Sequence, residues 1–363
     1  MTQPWLGWLS ELVAIPSISG DEARAADWVV ALFRSSKLDV ERVGNSVIAR
    51  VVRGRGPKLL LHSHLDTVPI GEGWTRDPYA AQWEDGKLVG RGANDAKASV
   101  VAMAAALMAF AEDSDVHGEA IVAYTACEET TNSGMADVLA KIGRPDGGFC
   151  GEPTGLEIVR AQSGLAVLVA EWHGRSCHAA HVARVPHDNA LHAACRELSA
   201  TAPYLTLAGE HPLLGKSTTV STVLRAGERS NVVPDRAEAV FDARLSPLHR
   251  ASDVVDLLAE RMPNANLKIR SERLKPVETP EDHPLVRAAL VAANKPRAIG
   301  SNTMSDMALL AGVPAVKVGP GETARSHTPN EFVLASEVDA GVAFYTRALP
   351  AALEALAAQG VPA

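Results

Sequence analysis

In Lys58-Leu-Leu-Leu-His-Ser-His64-Leu-Asp66-Thr-Val-Pro69 a short apolar strand, Lys58 to Leu61, runs directly into two histidines and an aspartate. The same arrangement recurs along the chain. One strand pattern leads into Glu128-Glu129, another into Gly151-Glu152-Pro-Thr154, and a late one into Gly319-Pro-Gly-Glu-Thr-Ala-Arg-Ser-His327. Gly90-Arg-Gly-Ala-Asn-Asp95 opens a long apolar helix. Open α/β sheets bind ligands beyond the carboxyl ends of their strands. Five clusters at such ends, or at a helix start, are therefore expected to converge on one site.

Around these clusters the first 155 residues alternate helix and strand. Helices are read at Trp5 to Val13, Glu22 to Phe33, Ala96 to Ala111 and Met135 to Ile142. Strands are read at Ser46 to Val52, Lys58 to Leu61, Glu119 to Ala126 and Gly147 to Gly151. Alternation of this kind predicts an α/β fold, a mainly parallel sheet with helices on both faces. The middle differs. Strand Leu165 to Trp172, helix Asp188 to Ala200, strands Thr218 to Arg225 and Ala237 to Leu245, helix Ala251 to Met262 and strand Leu267 to Leu274 follow the β-α-β-β-α-β order of a ferredoxin-like α+β unit. After the Pro-containing stretch Lys275 to Pro284 the α/β style returns, with a helix at Leu285 to Asn294, a short helix at Ser305 to Ala311, a strand at Pro314 to Val318 and a last helix at Ala335 to Ala358. The expected organisation is a discontinuous domain, 1–160 and 275–363, with a smaller domain inserted at 161–274.

Composition narrows the function classes. The 363 residues carry 35 Lys+Arg against 43 Asp+Glu, a net charge of −8, and no basic run that would mark a nucleic-acid footprint. No apolar run reaches the roughly 18 residues of a membrane span. The start, Met1-Thr-Gln-Pro-Trp-Leu-Gly-Trp, lacks the basic and apolar regions of a signal peptide. Cys127, Cys150, Cys177 and Cys195 include no Cys-x-x-Cys pair, so neither a disulfide framework nor a thiolate zinc site is expected. A cytoplasmic protein with reduced thiols is the expectation.

Histidines and carboxylates without cysteine suit a borderline-to-hard metal, zinc first and cobalt or manganese next. His64 with Asp66 two residues on fits a ligand oriented by a neighbouring carboxylate. His62 is the alternative ligand but lacks an Asp at that offset. Glu128 and Glu129, being adjacent, cannot point the same way at a strand end. One can bind metal while the other acts as general base. Each element also has a bland reading: His-x-Asp is a common surface pair, Glu-Glu is usually a solvated face, and a lone Asp at a helix start is usually a cap. Their joint placement at successive strand ends is what raises the metal reading. Competing motifs fail. Gly215-Lys216-Ser217 lacks the first glycine of a phosphate loop, position 210 being Glu, and no Gly-x-Ser-x-Gly elbow is present.

His64-Leu-Asp66-Thr-Val-Pro69, Gly90 to Lys97, Glu128-Glu129, Gly151-Glu152-Pro-Thr154 and His327, in that order, resemble the zinc metallopeptidase/amidohydrolase family of acetylornithine deacetylase, succinyl-diaminopimelate desuccinylase, aminoacylase, glutamate carboxypeptidase and carboxypeptidase G. The resemblance covers nearly the whole chain. It implies that His64, Asp95, Glu129, Glu152 and His327 are metal ligands, with Asp95 bridging two ions, that Asp66 orients His64 and that Glu128 is the general base. It implies one or two Zn2+ per subunit, with Co2+ or Mn2+ as substitutes. In the inserted domain Gly174-Arg-Ser-Cys-His178 resembles the segment whose His reaches the partner subunit's site and polarises the scissile carbonyl, which implies a homodimer joined through that domain as a lid. Asn231-Val-Val-Pro234 and Arg244 resemble the pair that grips the substrate carboxylate. A plain surface role is the alternative for both, and is assumed for His181, His187 and His192. The family's Asp-Met-Lys-Gly-Gly is Asp95-Ala-Lys-Ala-Ser99 here, a change of helix packing rather than of ligands. Ile15 to Ala23 and Met304-Ser-Asp306-Met look most like the lysine/ornithine-releasing hydrolases, which act on N-acetyl amino acids or on an amino-group carrier protein.

The expected activity is metal-dependent hydrolysis of an N-acylated amino acid in arginine or lysine biosynthesis. The small-molecule N-acyl amino acid or acylated carrier protein is the expected partner, with no nucleic acid and no membrane. A dipeptidase or carboxypeptidase using the same site is the first alternative, and a non-catalytic metal-binding protein the remote one.

Overall fold

Two amphipathic helices, α1 (Pro4–Val13) and α2 (Ala23–Ser35), open the described chain. Proline at the first turn of α1 suits a position whose N–H has no helical partner. In α2, Ala25, Ala26, Val29, Val30 and Phe33 form the buried stripe that its periodicity dictates. The computed structural model describes residues 3–310 and 312–360. Its contacts divide into two units, one of 1–160, 278–299 and 305–363, the other of 161–277 and 300–304.

In the first unit strands β1 (Asp39–Val43), β2 (Ser46–Arg53) and β3 (Lys58–His64) are followed by the short β4 (Trp83–Glu84) and β5 (Lys87–Val89), then α3 (Ala98–Asp113), β6 (Gly118–Thr125), α4 (Ser133–Ile142), β7 (Gly147–Cys150) and β8 (Val159–Gln162). The second unit contributes β9 (Gly164–His173), α5 (Ala190–Ser199), β10 (Leu205–Thr206), β11 (Thr218–Ala226), β12 (Arg236–Leu245), α6 (Ala251–Arg261) and β13 (Asn266–Leu274). The chain returns through β14 (Val277–Glu278), α7 (Pro284–Ala293), β15 (Ile299–Ser301), β16 (Ala315–Lys317), β17 (Phe332–Leu334) and α8 (Ala335–Ala357).

The large sheet has the order β1-β2-β6-β3-β7-β16-β8-β14. Its centre is parallel: β3 pairs in parallel with β6 and with β7, and β16 with β7. Residues of one face, among them Val47, Leu59, Leu61, Val122 and Phe149, join a core with α1, α2, α3, α7 and α8. The alternate residues Ile48, Leu60 and Ile121 are equally buried, and α4 packs against β2 and β6. Helices thus cover both faces, the condition under which parallel strands can be apolar throughout. Gly134, in the first turn of α4, lies against the Ala126 turn so closely that an added Cβ would meet the Ala126 carbonyl oxygen at 2.4 Å. Gly134→Ala is expected to cost about 1–3 kcal/mol by overpacking. A urea midpoint equal to that of the unaltered protein would contradict this close approach.

The second unit is an antiparallel sheet of order β10-β11-β12-β9-β13. Leu168, Ala170, Trp172, Ala239 and Phe241 pack there with Ala190, Ala194, Val254 and Leu258 of α5 and α6. This is the ferredoxin-like arrangement, with the two-residue β10 added.

Local readings need correction in four places. Strand β3 runs to His64, so His62 and His64 lie within it rather than beyond it. Helix α3 begins at Ala98, because Asp95 (φ −121°, ψ 96°) and Ala96 leave helical geometry. The expected helix at 305–311 is a 3-10 turn, Asp306–Leu309, and Ala311 lies outside the described residues. Strands β1, β4, β5, β8, β10, β14, β15 and β17 were not anticipated: β1 is largely polar and is joined to β2 by the two-residue turn Gly44-Asn45, while the others are only two to four residues long. Among the described residues no helix is long and apolar enough to cross a membrane.

Candidate metal centre

The parallel strands β6, β3, β7 and β16 end on one edge of the sheet, and each end carries part of the cluster. His64 is the last residue of β3. Beyond β6 the chain turns at Cys127, which has a left-handed φ of 57°. Both following amides are then caught by the Asp66 carboxylate, Glu128 N–H donating to Oδ1 at 3.0 Å and Glu129 N–H to Oδ2 at 3.1 Å. Ser19 Oγ donates to the same Oδ2 at 2.7 Å. Glu152 follows β7, and the loop after β16 carries His327.

Asp95 Oδ1 lies 3.2 Å from His64 Nε2, and its other oxygen, Oδ2, lies 3.5 Å from His327 Nε2. His327 Nε2 is 2.9 Å from Glu129 Oε1. Among the described residues, His64, Asp95 and Glu129 form the group whose ligand atoms all fall within 4.8 Å of one another. Ligand atoms about 2.0–2.2 Å from a zinc ion stand roughly 3–4 Å apart, so these separations fit a metal centre. His64 Nδ1 is 2.9 Å from the Asp66 carbonyl oxygen and 3.6 Å from its carboxylate. The Asp66 carboxylate mainly shapes the Glu128-Glu129 turn, a role its offset from His64 does not reveal.

Electrostatics point the same way. Burial pushes the Glu152 carboxyl up to about 8, with the negative charge of Asp95 adding to the rise. Burial also lifts Glu128 well above the carboxylate range, His64 opposing and Glu152, Asp306 and Glu129 reinforcing the rise. Protons or a cation must balance this charge in a buried setting, and a divalent cation among these carboxyls would favour their ionised forms. His62, the alternative ligand, is fully buried with neither ring nitrogen hydrogen-bonded. Burial and the neighbouring His64 lower its pKa to about 3, and it lies outside the converging group.

Residues 60–351 match the peptidase family M20/M25/M40. The chain belongs to that family. It is 31% identical over 343 residues, 91% of this chain and 92% of the relative, to a Pyrobaculum aerophilum protein named a LysW-lysine/LysW-ornithine hydrolase. It is 29% identical, over 89% and 90% of the two chains, to the acetylornithine deacetylase of Proteus mirabilis. A solved Bacillus subtilis structure, described as a dinuclear metal-binding peptidase of the M20 family, shares the fold, with a TM-score of 0.76, 17% identity and coverage of 97% of this chain and 98% of that one. The protein is therefore an M20-family hydrolase.

In the ferredoxin-like unit of this M20 chain, His178 caps a 3-10 turn, its Nδ1 accepting from Ala180 N–H at 3.1 Å. His178 pairs with Val232 in an isolated bridge, and Asn231 O accepts from Ala179 N–H at 2.9 Å, so His178 and Asn231 lie side by side and exposed. Arg244 does not join them. It sits at the far end of β12, where Nε and a terminal nitrogen donate to Asp242 at 2.8 and 3.1 Å. The eight residue steps from Arg236 to Arg244 span roughly 26 Å of strand, and Asn231 precedes Arg236 in the chain, outside β12.

Two groups beside the M20 centre carried no expectation. Asp306 is buried and accepts from Thr125 Oγ1 at 2.7 Å and Asn132 Nδ2 at 3.0 Å. Burial pushes its carboxyl up to about 6. Glu331 is also buried, four residues after His327. Its position in His327-Thr-Pro-Asn-Glu331 was the available signal.

Proposed function

We propose that this chain is a metal-dependent amidohydrolase that releases a free amino acid from an N-acylated one: acetyl-ornithine, acetyl-lysine, or lysine or ornithine carried by an amino-group carrier protein. The observation that carries this reading is the posture of Asp95, whose two carboxylate oxygens face separate histidines, His64 and His327. A carboxylate so placed would be able to serve two ions, one on the side of each histidine. The names of the relatives support the substrate class.

In this reading His64, Asp95, Glu129, Glu152 and His327 hold one or two ions, zinc first, with Co2+ or Mn2+ as substitutes. When bound, the metal supplies Lewis acidity and brings the pKa of water down to about 7. Glu128, held by the Asp66 clasp on its backbone, accepts the proton of the attacking water at its carboxylate and delivers it to the leaving amine. Asp66 fixes this geometry by holding both Glu amides and the His64 turn. His178 donates to the developing oxyanion, and Asn231 and Arg244 grip the substrate carboxylate, Arg244 as a bidentate donor.

Release of free amine from N2-acetyl-ornithine and N-acetyl-lysine, with zinc or cobalt and then with chelator, tests the reading. Chelator-sensitive release is expected. Cleavage of dipeptides alone would replace it with the peptidase reading, and metal-loaded protein inert on all of these and on acylated carrier protein would overturn it.

The separation of Asn231, in the loop before β12, from Arg244 near the end of that strand bears on assembly. One copy cannot bring both to one amino-acid carboxylate across about 26 Å. A homodimer in which the partner supplies His178 and Asn231 removes the difficulty. Mixing inactive Glu128→Gln with inactive His178→Ala should then restore activity, to about a quarter of the wild-type value by random pairing of subunits. A mixture as inactive as its components, after subunit exchange is shown, would contradict the arrangement.

A further inference from the structure

The small sheet of order β17-β5-β4 lies in the same unit as the metal centre. Phe332 pairs with Val89 there, and Gly90 N–H donates to Glu331 O at 2.9 Å. This pairing sets the start of the Asp95 loop against the end of the His327 loop. Two side chains then cross between them, one in each direction.

Glu331 reaches into the Asp95 loop. Its Oε1 accepts from the backbone N–H of Asn94 at 2.9 Å and of Asp95 at 3.0 Å. Its Oε2 accepts from Arg91 at 2.7 Å, with the two side chains 1% and 2% exposed. Arg91 also donates to the Ile70 carbonyl at 3.0 Å and lies over the Trp74 ring, 5.2 Å from its centroid. Asn94 reaches the other way. Its Oδ1 accepts from Glu322 N–H at 2.9 Å, and its Nδ2 donates to Glu322 O at 3.1 Å and Ser326 Oγ at 3.3 Å. Asp95 and His327 therefore sit on loops tied together on both sides of the ligand atoms.

We propose that Glu331 and Asn94 are positioning residues, forming a reciprocal clasp that holds the Asp95 carboxylate and the His327 ring in register for the metal. The proposal rests on reading Asp95 and His327 as ligands. Its physical basis is the cost of the alternative. Asp95, with φ −121° and ψ 96°, stands in an irregular turn closed by a wide main-chain hydrogen bond, Lys97 N–H donating to Gly92 O at 3.0 Å. His327 is half exposed, on a loop with a left-handed φ of 63°. Each loop has ties of its own, such as Lys97 Nζ to Ile15 O at 2.9 Å and Thr323 Oγ1 to Pro153 O at 2.6 Å, but without the cross-ties the placement of one loop against the other would fall more heavily on the metal. A carboxylate that accepts three hydrogen bonds in a buried setting keeps its geometry because breaking any one leaves a buried group unsatisfied.

The test compares full-length wild-type protein with Glu331→Gln, Asn94→Ala and His327→Ala after chelator treatment. Zinc affinity is measured by competition with a chromophoric chelator, and Co2+ binding by its absorption spectrum. Glu331→Gln keeps one acceptor oxygen but breaks the Arg91 pair, and Asn94→Ala cuts the opposite ties, so either decides if the other fails to fold. Both are expected to weaken zinc binding ~10–100-fold, as loss of outer partners of metal ligands does. Both should alter the cobalt spectrum and reduce the rise in thermal midpoint on adding zinc. A merely structural strut would lower the midpoint equally with and without zinc, and wild-type affinity and spectrum in both variants would overturn the clasp. His327→Ala separates the two ideas. If it loses metal while both clasp variants keep it, the ligand reading stands and the clasp falls; if it binds as wild type, the ligand reading falls and takes the clasp with it.

Discussion

Glu128→Gln is expected to lower kcat by ~10²–10⁴ while leaving bound metal unchanged, the loss that follows removal of a general base. The amide keeps the volume of the carboxylate and can no longer accept the proton. Glu128 is read as the base and not as a ligand, so metal content is the control. Its neighbour Glu129 faces His327 at 2.9 Å, and Glu129→Gln is expected to reduce both metal and turnover. The contrast between adjacent glutamates separates the two roles. Wild-type turnover in Glu128→Gln, or loss of metal equal to that of Glu129→Gln, would contradict the assignment.

Asp95→Asn should be the more damaging change. The carboxylate faces His64 through one oxygen and His327 through the other, so one substitution weakens both halves of the centre. The amide places a neutral, partly donating group where two acceptor oxygens stood. The loss of metal affinity is expected to exceed the ~10–100-fold that removal of an outer partner costs, with turnover falling alongside it. Excess zinc should recover part of the activity if the amide oxygen still coordinates. Zinc content and turnover at wild-type levels would show that Asp95 is no ligand.

The central sheet was legible because burial imposes a pattern. β3 is Lys58-Leu-Leu-Leu-His-Ser-His64, and all but its first residue are buried. The ends of β3, β6, β7 and β16 were legible for a related reason: polar, titratable residues directly after an apolar strand mark where the chain leaves the core. Less of the wiring was. Asp66 takes the amides of Glu128 and Glu129 from 62 and 63 residues away, and Glu331 takes those of Asn94 and Asp95 from 237 and 236 residues away. Hydrogen bonds to main-chain amides ask nothing of the recipient's side chain and leave no mark in its sequence. A helix cap was the bland reading of Asp95 beside its expected place in the converging site, and the irregular turn at 93–97 turns its carboxylate to the histidines instead of to α3. Arg244 looked like a carboxylate clamp on resemblance, and its Asp242 partner lies two residues away on the same strand. In the proposed role a substrate carboxylate would have to displace that pair or reorganise it.

The most direct measurement is metal content and amine release on one preparation: the full-length protein stripped with chelator, then titrated with zinc while hydrolysis of N2-acetyl-ornithine and N-acetyl-lysine is followed. Activity that vanishes on stripping, returns with zinc, and saturates at one or two ions per chain is the predicted result. Hydrolysis that persists in the stripped protein, or zinc that binds with the same stoichiometry after Asp95→Asn and His327→Ala, would contradict a metal-dependent hydrolase centred on His64, Asp95, Glu129, Glu152 and His327.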